Sequence, residues 1–371
     1  MKVIVTGAAG FIGSHAARRY LSRGWEVVAI DNLSRDGSER NLEWLQDHGN
    51  IEFIQADVTS VDSIMSVFRE HSAADVVLHF AAQVAVTDSL SDPRRDFEVN
   101  ALGTLNVLEA SRLFGIKGPL LFSSTNKVYG QLDDLRVIEG SSRYSYERRY
   151  PGVAEDRSMD FHSPYGCSKG SADQYVKDYH RIYGLRTVVF RQSCIYGTRQ
   201  FGIEDQGWIA WFAIAHELGL PVTIYGDGKQ TRDILYIEDL LNAFDAAISR
   251  IDRVAGSVFN IGGGTDNTIS LRELVKVLDE TSGSSLSCKF APWRPGDQRV
   301  YVSDIRKAGR ELKWKPLTNC QEGIRNVCAW VHANKDLCAE VLSDYLARRK
   351  AAATVQAPVA PVEPDRQRAS W

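Results

Sequence analysis

A tyrosine and a lysine four residues apart give the first indication of chemistry in this 371-residue chain. Tyr165 and Lys169 lie in the segment SPYGCSK, where a helix is predicted, and their spacing places both side chains on one helix face. A lysine ammonium lowers the pKa of a nearby phenol, because the tyrosinate gains an opposite charge. The pair therefore predicts a tyrosine that acts as a base near neutral pH. Since YxxxK also arises by chance, an ordinary pair on a helix surface remains the alternative.

Three glycines near the N-terminus have the spacing of a phosphate-binding turn. Gly7, Gly10 and Gly13 follow an apolar strand pattern at 2–6 and open a predicted helix at 11–23. The first permits a tight turn, the second lets the backbone approach a pyrophosphate, and the third allows close packing of helix on strand. The helix N-terminus also attracts anions. The sequence predicts a dinucleotide site here, and a glycine turn without a ligand is the alternative.

Acidic residues end the next two predicted strands. Asp31 stands about twenty residues after the glycines, where a carboxylate can accept hydrogen bonds from ribose hydroxyls and repel a 2′-phosphate. It predicts NAD rather than NADP, although Arg35 nearby keeps NADP open and an Asp-Asn turn is the ligand-free alternative. Asp57 and Val58 end the third strand, where the chain could contact the edge of the cofactor's adenine base.

These residues require a sheet that brings several strand ends to one edge. Strand and helix patterns alternate over the first ~190 residues, which predicts a parallel sheet with helices on both faces. We expect an α/β fold with a Rossmann doubly wound parallel sheet, whose ligands lie at the carboxyl ends of the strands. The strands are predicted at residues 2–6, 26–30, 51–56, 76–81, 119–124 and 187–192.

The alternation weakens after residue 198, which predicts a second, smaller lobe. Residues 1–197 are expected to form the dinucleotide-binding domain, with returns of the chain near 233–262. Residues 198–350 are expected to form a mixed α/β substrate-binding lobe, in which 226–233 is a loop by composition. Residues 351–371 contain prolines and little apolar periodicity, so we expect a disordered tail.

Composition narrows the class of protein. Hydrophobic residues make up 44% and the net charge is −3, so neither a nucleic-acid-binding surface nor an acidic tail is indicated. Apolar runs are too short to span a bilayer, and the N-terminal run leads into the glycine turn rather than a signal-peptide cleavage site. Six cysteines show neither a CxxC pair nor zinc-ligand spacing, which predicts free thiols, a cytoplasmic protein and no metal site.

Seven parts of the sequence together resemble one enzyme family. They are TGAAGFIG (6–13), DNLS (31–34), HFAAQ (79–83), Asn100, SSTNKVYG (123–130), YGCSK (165–169) and RDILYIED (232–239). The chain is similar, over about residues 1–330, to the extended short-chain dehydrogenase/reductases that act as nucleotide-sugar epimerases and dehydratases. The resemblance implies transient oxidation of a sugar by bound NAD and return of the hydride to the other face. It also implies a homodimer or homotetramer, formed through the helices near 95–114 and 164–183.

The roles known in this family carry over only to matching positions. Tyr165 resembles the catalytic tyrosine, Lys169 the catalytic lysine, and Thr125 the hydroxyl that hydrogen-bonds the reacting sugar. The expected cofactor positions are Gly7, Gly10, Phe11, Ile12, Gly13, Asp31, Asn32, Asp57, Val58, Phe80, Ala81, Ala82, Asn100, Ser123, Tyr165 and Lys169. The expected substrate positions are Gln83, Ser124, Thr125, Asn126, Cys194, Arg199, Gln206, Arg232 and Arg294. Arg232 resembles an arginine that pairs with a diphosphate, whereas Arg294 could instead be a solvated loop residue.

Two departures from the family pattern reduce the number of reactions that the sequence allows. Dehydratases of the family carry Asp-Glu after the threonine, whereas Asn126 and Lys127 stand here and cannot supply that acid–base pair. Cys194 stands where many relatives have a diphosphate-binding asparagine, which indicates a rearranged pocket. Residues 199–208 are then a candidate sugar loop, with a plain domain connector as the alternative.

The substrate prediction rests on a closer match within the family. SSTNKVYG (123–130) and DQGW (205–208) are most similar to 2-epimerases that act on CDP-hexoses, so a CDP-hexose is the favoured substrate. The chemistry of the residues alone does not select C2 over C4. A UDP-sugar 4-epimerase, a nucleotide-sugar reductase or dehydratase, and a non-catalytic NAD-binding regulator remain open. No nucleic-acid or membrane partner is expected.

Overall fold

The chain folds as strands that alternate with helices, and the computed structural model describes residues 1–147, 150–294 and 297–355. The strands in chain order are β1 (Lys2–Thr6), β2 (Glu26–Asp31), β3 (Glu52–Gln55), β4 (Val76–His79), β5 (Leu120–Thr125), β6 (Val137–Glu139), β7 (Tyr144–Tyr146), β8 (Thr187–Gln192), β9 (Ile195–Tyr196), β10 (Val222–Tyr225), β11 (Thr231–Asp233), β12 (Leu235–Tyr236), β13 (Val258–Ile261), β14 (Thr268–Ser270), β15 (Cys288–Ala291) and β16 (Val300–Tyr301). The helices are α1 (Phe11–Leu21), α2 (Ser38–Asp47), α3 (Val61–Glu70), α4 (Val86–Ser91), α5 (Pro93–Phe97), α6 (Gly103–Leu113), α7 (Ser163–Tyr183), α8 (Trp208–Glu217), α9 (Ile237–Ser249), α10 (Ile251–Val254), α11 (Leu271–Ser282), α12 (Arg306–Glu311), α13 (Cys320–Ala333) and α14 (Lys335–Val355).

A seven-stranded parallel sheet forms the centre of the first lobe. Its strand order is β13-β8-β5-β4-β1-β2-β3, and every neighbouring pair is parallel. Helices α1 and α9 cover one face, and α3, α6 and α7 cover the other. Because both faces are covered, β1 and β4 are almost continuous apolar runs rather than alternating ones. The predicted Rossmann doubly wound α/β fold is confirmed.

The strand order reverses between β1 and β4. From β1 the chain builds outward through β2 to β3, and it then returns to place β4 on the other side of β1. The Phe80 N–H, just after β4, donates a hydrogen bond to the Thr6 carbonyl at the end of β1 at 3.1 Å. In open α/β sheets ligands bind at such a reversal, outside the carboxyl ends of the strands.

A separate apolar core holds the second lobe together. It packs α8, α11 and α13 around β10, which pairs with β15. Strand β11 lies between β14 and β16 in a small sheet of three strands. The chain returns to the first lobe through α9 and through β13, the edge strand beside β8. This path follows the predicted return near 233–262, and the predicted domain boundaries stay predictions.

Two segments differ from their sequence-based descriptions. The predicted loop 226–233 ends in β11, because the backbone around Arg232 pairs with β14 on one side and β16 on the other. The single helix predicted at 95–114 is α5 and α6 joined by a π-helical turn, Glu98–Leu102. The extra residue in that turn rotates the polar side chains that follow, which matters for the site described below.

The last described helix passes the predicted boundary of the tail. Helix α14 continues to Val355, whereas a disordered tail was expected from residue 351. Most of that expected tail, residues 356–371, lies outside the described residues. Among the described helices, none is both long and apolar enough to cross a membrane. All six cysteines lie in the described part of the chain and are free thiols.

A buried ion pair fixes α7 against the sheet. Arg191 on β8 donates to the carboxylate of Asp173 on α7 from Nε at 2.9 Å and from Nη2 at 3.0 Å. Ser124 on β5 donates to the same carboxylate at 2.7 Å. The Arg191 and Asp173 side chains are 4% and 0% exposed, so water cannot replace either partner. The carboxylate thus joins β5, α7 and β8.

Removing this carboxylate should destabilise the fold strongly. We expect Asp173→Leu to lower the free energy of unfolding by about 3–5 kcal/mol, because Arg191 is left as an unpaired buried charge. Adding Arg191→Met should recover much of the loss. The control is Glu280→Ala in the exposed pair Lys276–Glu280, which should change stability by less than about 0.5 kcal/mol. Urea denaturation measures all three, and a loss for Asp173→Leu no larger than the control's would contradict the assignment.

Candidate active site at the carboxyl edge of the sheet

The turn after β1 is so close to its neighbours that only glycine fits at two positions. Gly7 has φ +69°, and a Cβ there would lie 2.7 Å from the amide nitrogen of Ala81. A Cβ on Gly13 would lie 2.0 Å from the Gly7 carbonyl oxygen. Gly10 caps the N-terminus of α1 without any side-chain hydrogen bond to the helix. The result is a backbone cradle at a helix N-terminus, which fits the pyrophosphate of a dinucleotide.

Apolar side chains surround this cradle. Phe11 and Ile12 are half-buried on the first turn of α1, and Ala82 is half-buried in the loop after β4. Phe80 stacks on Phe244 of α9 with ring centroids 5.2 Å apart. The predicted cofactor residues from two different loops therefore lie around the same turn.

Asp31 lies beside the cradle at the end of β2. Its Oδ2 accepts a hydrogen bond from the Ala9 N–H at 3.0 Å, and its Oδ1 accepts one from the Leu33 N–H at 2.8 Å. Burial raises the pKa of this carboxyl, while the backbone N–H groups favour its charged form. The carboxylate is held in one orientation and keeps further lone pairs that a ribose diol can use.

The neighbouring strand end carries Asp57. Its Oδ2 accepts hydrogen bonds from Nδ2 of Asn32 and from Nη2 of Arg95, each at 2.8 Å. Burial alone would raise the pKa of Asp57, but hydrogen bonds led by the one from Arg95 hold it well below its usual range. Val58 is buried, and its carbonyl accepts a hydrogen bond from Asn106 at 2.9 Å. The predicted adenine-side residues are thus tied to one another and to the helices beside them.

Asn100 connects the loop after β4 to helix α7. Its fully buried side chain accepts a hydrogen bond from the Gln83 N–H at 2.9 Å and donates to the Ser168 hydroxyl at 3.1 Å. Asp96 accepts hydrogen bonds from both Asn100 and Ser168. The π-helical turn that contains Asn100 makes this reach possible. Asn100 therefore positions both the expected cofactor loop and the helix that carries Tyr165.

The predicted catalytic side chains meet where β5 ends and α7 begins. Thr125 is the last residue of β5, and Tyr165 and Lys169 lie one turn apart in α7. The Thr125 and Tyr165 side chains lie close enough to interact, since Thr125 lowers the pKa of the phenol. The Lys169 ammonium lies 4.3 Å from the centroid of the Phe122 ring on β5. All three predicted residues are buried, and Ser123 is half-buried on the same strand.

The protonation of this group differs from the sequence-based expectation. Burial raises the pKa of Tyr165 to about 12, and the hydrogen bond with Thr125 offsets only part of that shift. Burial lowers the pKa of Lys169 to about 7, while the charges of Asp173 and Asp96 act in the opposite direction. The expectation that Lys169 brings the phenol's pKa below its ordinary value is wrong for this structure. Loss of hydration is the largest cause of the raised pKa of Tyr165, and the charge of Asp96 adds to it.

Two positively charged side chains, Lys127 and Arg232, lie near one another next to Thr125. Lys127 lies on the 3-10 turn that follows β5, and burial lowers its pKa. The charge of Arg232 lowers that pKa further, and Asp297 and Cys194 raise it, so the four groups act on one another. Arg232 donates to Oδ1 of Asp297 at 2.8 Å. Arg232 and Asp297 form an ion pair, the charges of both act on Lys127, and the cluster can take a further anion.

Besides Arg232, two of the predicted substrate residues lie in or next to this cluster. Asn126 is buried on the same turn, and its Oδ1 accepts a hydrogen bond from the Thr125 hydroxyl at 3.3 Å. Cys194 has φ +39°, a left-handed conformation that is uncommon outside glycine. Burial raises the pKa of its thiol, so it is a poor nucleophile at neutral pH.

Arg294 is fixed in the second lobe. Its Nη2 donates to Oδ1 of Asp205 at 2.9 Å, and its guanidinium lies 3.9 Å from the centroid of the Tyr225 ring. The structure thus excludes the alternative of an unattached solvated side chain, although a substrate contact for Arg294 stays a prediction.

Three other predicted substrate residues have contacts that the sequence did not suggest, and two of them hold structural elements together. Ser124 donates its hydroxyl hydrogen to Asp173. Arg199 has φ +57°, donates to Oδ1 of Asn41 on α2 at 3.0 Å and lies over the Trp44 ring at 4.6 Å. The substrate roles of Ser124 and Arg199 stay predictions.

The third of these residues, Gln206, joins the candidate sugar loop to the cofactor side. Its Oε1 accepts a hydrogen bond from Arg35, which follows the strand that ends in Asp31. The segment 199–208 therefore folds back toward the first lobe. Its predicted role in the sugar pocket is untested, but it is more than a connector between two lobes.

Several residues of the site were missed by the sequence analysis. Asp297 lies only three residues after Arg294, and Ser168 lies inside YGCSK, so both had a signal in the motifs themselves. Lys127 was noted only as a departure from the dehydratase pattern, although it lies in the positive cluster. Asp96 had no signal of its own, because one of its two partners, Ser168, is on α7.

Comparisons with known proteins agree with this geometry. The GDP-mannose 4,6 dehydratase family profile matches residues 4–327. The CDP-paratose 2-epimerase of Salmonella typhi is 42% identical over 335 residues, which cover 89% of this chain and 99% of that protein. The dTDP-glucose 4,6-dehydratase of Salmonella typhimurium is 33% identical over 90% of this chain and 93% of its own length.

A solved structure gives the same result for the fold. The UDP-glucose 4-epimerase of Thermus thermophilus, in complex with NAD, is 33% identical and superposes with a TM-score of 0.74. The match covers 89% of this chain and 98% of that one. The resemblance drawn from the motifs is confirmed: the chain belongs to the GDP-mannose 4,6-dehydratase family of extended short-chain dehydrogenase/reductases, whose members include nucleotide-sugar epimerases and dehydratases.

Proposed function

We propose that this protein is an NAD-dependent epimerase that inverts C2 of a CDP-linked hexose of the paratose and tyvelose type. The CDP-paratose 2-epimerase that it resembles along almost its whole length supports this substrate class. The cofactor is NAD, since the glycine cradle and Asp31 fit a dinucleotide with a free ribose diol and a related structure contains NAD. The proposed reaction regenerates the cofactor in every turnover, which makes the enzyme an isomerase.

The observation that carries the proposal is the pair Asn126 and Lys127 directly after Thr125. Elimination of water across two sugar carbons needs an acid and a base on this turn, and an amide with an ammonium lacks the carboxylates for it. The turn lies in the same buried region as the phenol of Tyr165. The site therefore favours oxidation and reduction at one carbon over dehydration.

The chain's own residues would handle the proton while NAD, when bound, supplies the hydride acceptor and donor. Tyr165 would take the proton of the C2 hydroxyl and return it after inversion. Lys169 would stabilise the tyrosinate form, since it lies one helical turn away with a positive charge. Thr125, which lowers the pKa of the phenol, would orient the sugar hydroxyl. Because burial favours the neutral phenol, Tyr165 must lose its proton before it can take one from the sugar hydroxyl.

The positive cluster would bind the diphosphate of the substrate. Lys127 lies near the ion pair of Arg232 and Asp297, so the group carries an excess of positive charge close to Thr125. An arginine and a lysine beside each other suit an oxygen-rich dianion. A diphosphate held there would place the attached sugar at the hydroxyls of Thr125 and Tyr165.

We further propose that two copies associate through α5, α6 and α7. These helices expose large apolar side chains, and the group consists of Phe97, Leu113, Tyr175, Ile182 and Tyr183. Contiguous exposed apolar groups of this kind mark protein interfaces. Helix α7, which carries Tyr165, is part of this face, so a partner would also stabilise the position of Tyr165.

Replacing the phenol should stop the reaction without disturbing the fold. We expect Tyr165→Phe to keep bound NAD and to lose turnover by about 10²–10⁴-fold, the usual contribution of a positioned proton-transfer group. Product formation from CDP-paratose is followed by NMR, and cofactor released from the protein is identified by mass spectrometry. Tyr175→Phe, an exposed tyrosine on the same helix, is the matched control and should keep full activity. Full activity of Tyr165→Phe would exclude the assignment, and mainly NADP in the released cofactor would overturn the role of Asp31.

Isotopic labelling should identify both the mechanism and the carbon. Substrate with deuterium at C2 should keep its label in the inverted product, because the hydride leaves and returns without exchange with water. Loss of the label to solvent would rule out transient oxidation. Retention with inversion at C4 of a UDP- or GDP-sugar, in a panel of nucleotide sugars, would replace the 2-epimerase proposal with a 4-epimerase.

The ammonium of Lys127 should contribute mainly to binding. We expect Lys127→Met to weaken CDP binding in calorimetry by about 10–100-fold, the value of one lost hydrogen bond to a charged group. Lys276→Met removes an exposed lysine of the second lobe and should leave the affinity unchanged. Equal CDP affinities for the two variants would contradict a diphosphate role for Lys127.

The oligomer is tested by light scattering. We expect a mass of at least twice the 41.4 kDa of one chain. Ile182→Glu should shift the protein toward the monomer, because a charge in an apolar interface loses its hydration. A mass near that of a single chain for the unaltered protein would refute the proposal.

A further inference from the structure

Three side chains form a cluster at the amino ends of the strands, opposite the candidate active site. Glu52 is the first residue of β3, Glu70 is the last residue of α3, and His71 follows it. One ligand-type atom from each of the three lies within 4.8 Å of the others. The proposed reaction uses none of them.

His71 has no hydrogen-bond partner although it is buried. The residue is 4% exposed, and neither Nδ1 nor Nε2 forms a hydrogen bond within the described part of the chain. Leaving a ring N–H and a ring lone pair unsatisfied in a protein interior is costly. Nε2 lies 3.4 Å from Oε1 of Glu52, beyond the usual length of an N–H···O hydrogen bond. The imidazole nitrogen therefore lies beside the carboxylate without forming a hydrogen bond to it.

The separation of these two atoms fits ligands of one metal ion. Nitrogen and oxygen ligands lie about 2.0–2.1 Å from zinc, so two of them at a tetrahedral angle are about 3.3–3.4 Å apart. We propose that Glu52, Glu70 and His71 bind one zinc ion. An imidazole nitrogen suits zinc better than magnesium or calcium, which prefer oxygen ligands alone. Both glutamates are exposed, so water can complete the coordination.

The ion would stabilise the edge of the sheet. β3 is the last strand on its side and pairs only with β2. Zinc held by one residue of β3 and two at the end of α3 would join the strand to the helix that covers it. The sequence analysis expected no metal site because it searched for cysteine and histidine spacing, whereas these ligands come from two segments and include two glutamates.

Zinc titration of the full chain tests the proposal. Protein treated with a chelator should bind one zinc ion per chain in calorimetry, and its melting temperature should rise with added zinc. Glu52→Gln should weaken zinc binding by more than about tenfold. Because Glu52 is exposed, this variant should melt at the same temperature as the unaltered protein when no metal is present. Glu26→Gln, an exposed glutamate at the start of the neighbouring strand, is the control and should bind zinc normally.

Cobalt identifies the ligand atoms. Co²⁺ bound at the site should show a ligand-field spectrum without a thiolate charge-transfer band, and His71→Gln should abolish that spectrum. The proposal is overturned if no zinc binds, if Glu52→Gln binds zinc as tightly as Glu26→Gln, or if the cobalt spectrum shows cysteine ligation.

Discussion

The carboxylate of Asp173 holds the catalytic helix in register with the sheet. It accepts two hydrogen bonds from Arg191 on β8 and one from Ser124 on β5, and all three side chains are shielded from water. Thr125 is the next residue after Ser124, and Lys169 lies one turn before Asp173 on α7. The position of the threonine hydroxyl relative to the Tyr165 phenol therefore depends on this buried interaction together with the hydrogen bonds that join Ser168 to Asn100 and Asp96. A small shift of α7 along the sheet would separate the groups that the reaction needs together.

Burial of the catalytic residues has an energetic consequence of its own. It raises the pKa of Tyr165 to about 12 and lowers that of Lys169 to about 7. Both shifts favour uncharged side chains, so the tyrosinate–ammonium pair is the costly state of this site. In the proposed reaction the tyrosinate takes a proton from the sugar hydroxyl and later gives it back. The charges of Asp173 and Asp96 favour the ammonium of Lys169, whereas the charge of Asp96 disfavours the tyrosinate.

The sequence was sufficient to predict those elements whose structure depends on residues close together in the chain. Short apolar runs predicted the strands of the first lobe, and the spacing of three glycines predicted the turn after β1. The four-residue spacing of Tyr165 and Lys169 predicted that both side chains lie on one helix face. Helices α2, α9 and α14 were not predicted, because their identity depends on what they pack against. The same limit applies to Asn100, which reaches Ser168 through a π-helical turn that no short pattern indicates. Arg199 could be named from a motif, but its contact with Trp44 on α2 arises only from the fold.

The residues on which the proposed reaction depends lie on a turn that follows β5. Asn126 and Lys127 follow β5, after the strand has fixed Thr125 and before the chain reaches the buried Tyr129. The backbone of the turn is capped by the Thr125 hydroxyl, which accepts the Lys127 N–H at 3.2 Å whatever the side chain at 127. An acidic pair or an amide and an ammonium can therefore occupy the same backbone without altering the sheet, the glycine turn or α7. This separation explains how epimerases and dehydratases share one scaffold, and why function here has to be argued from two side chains rather than from the fold.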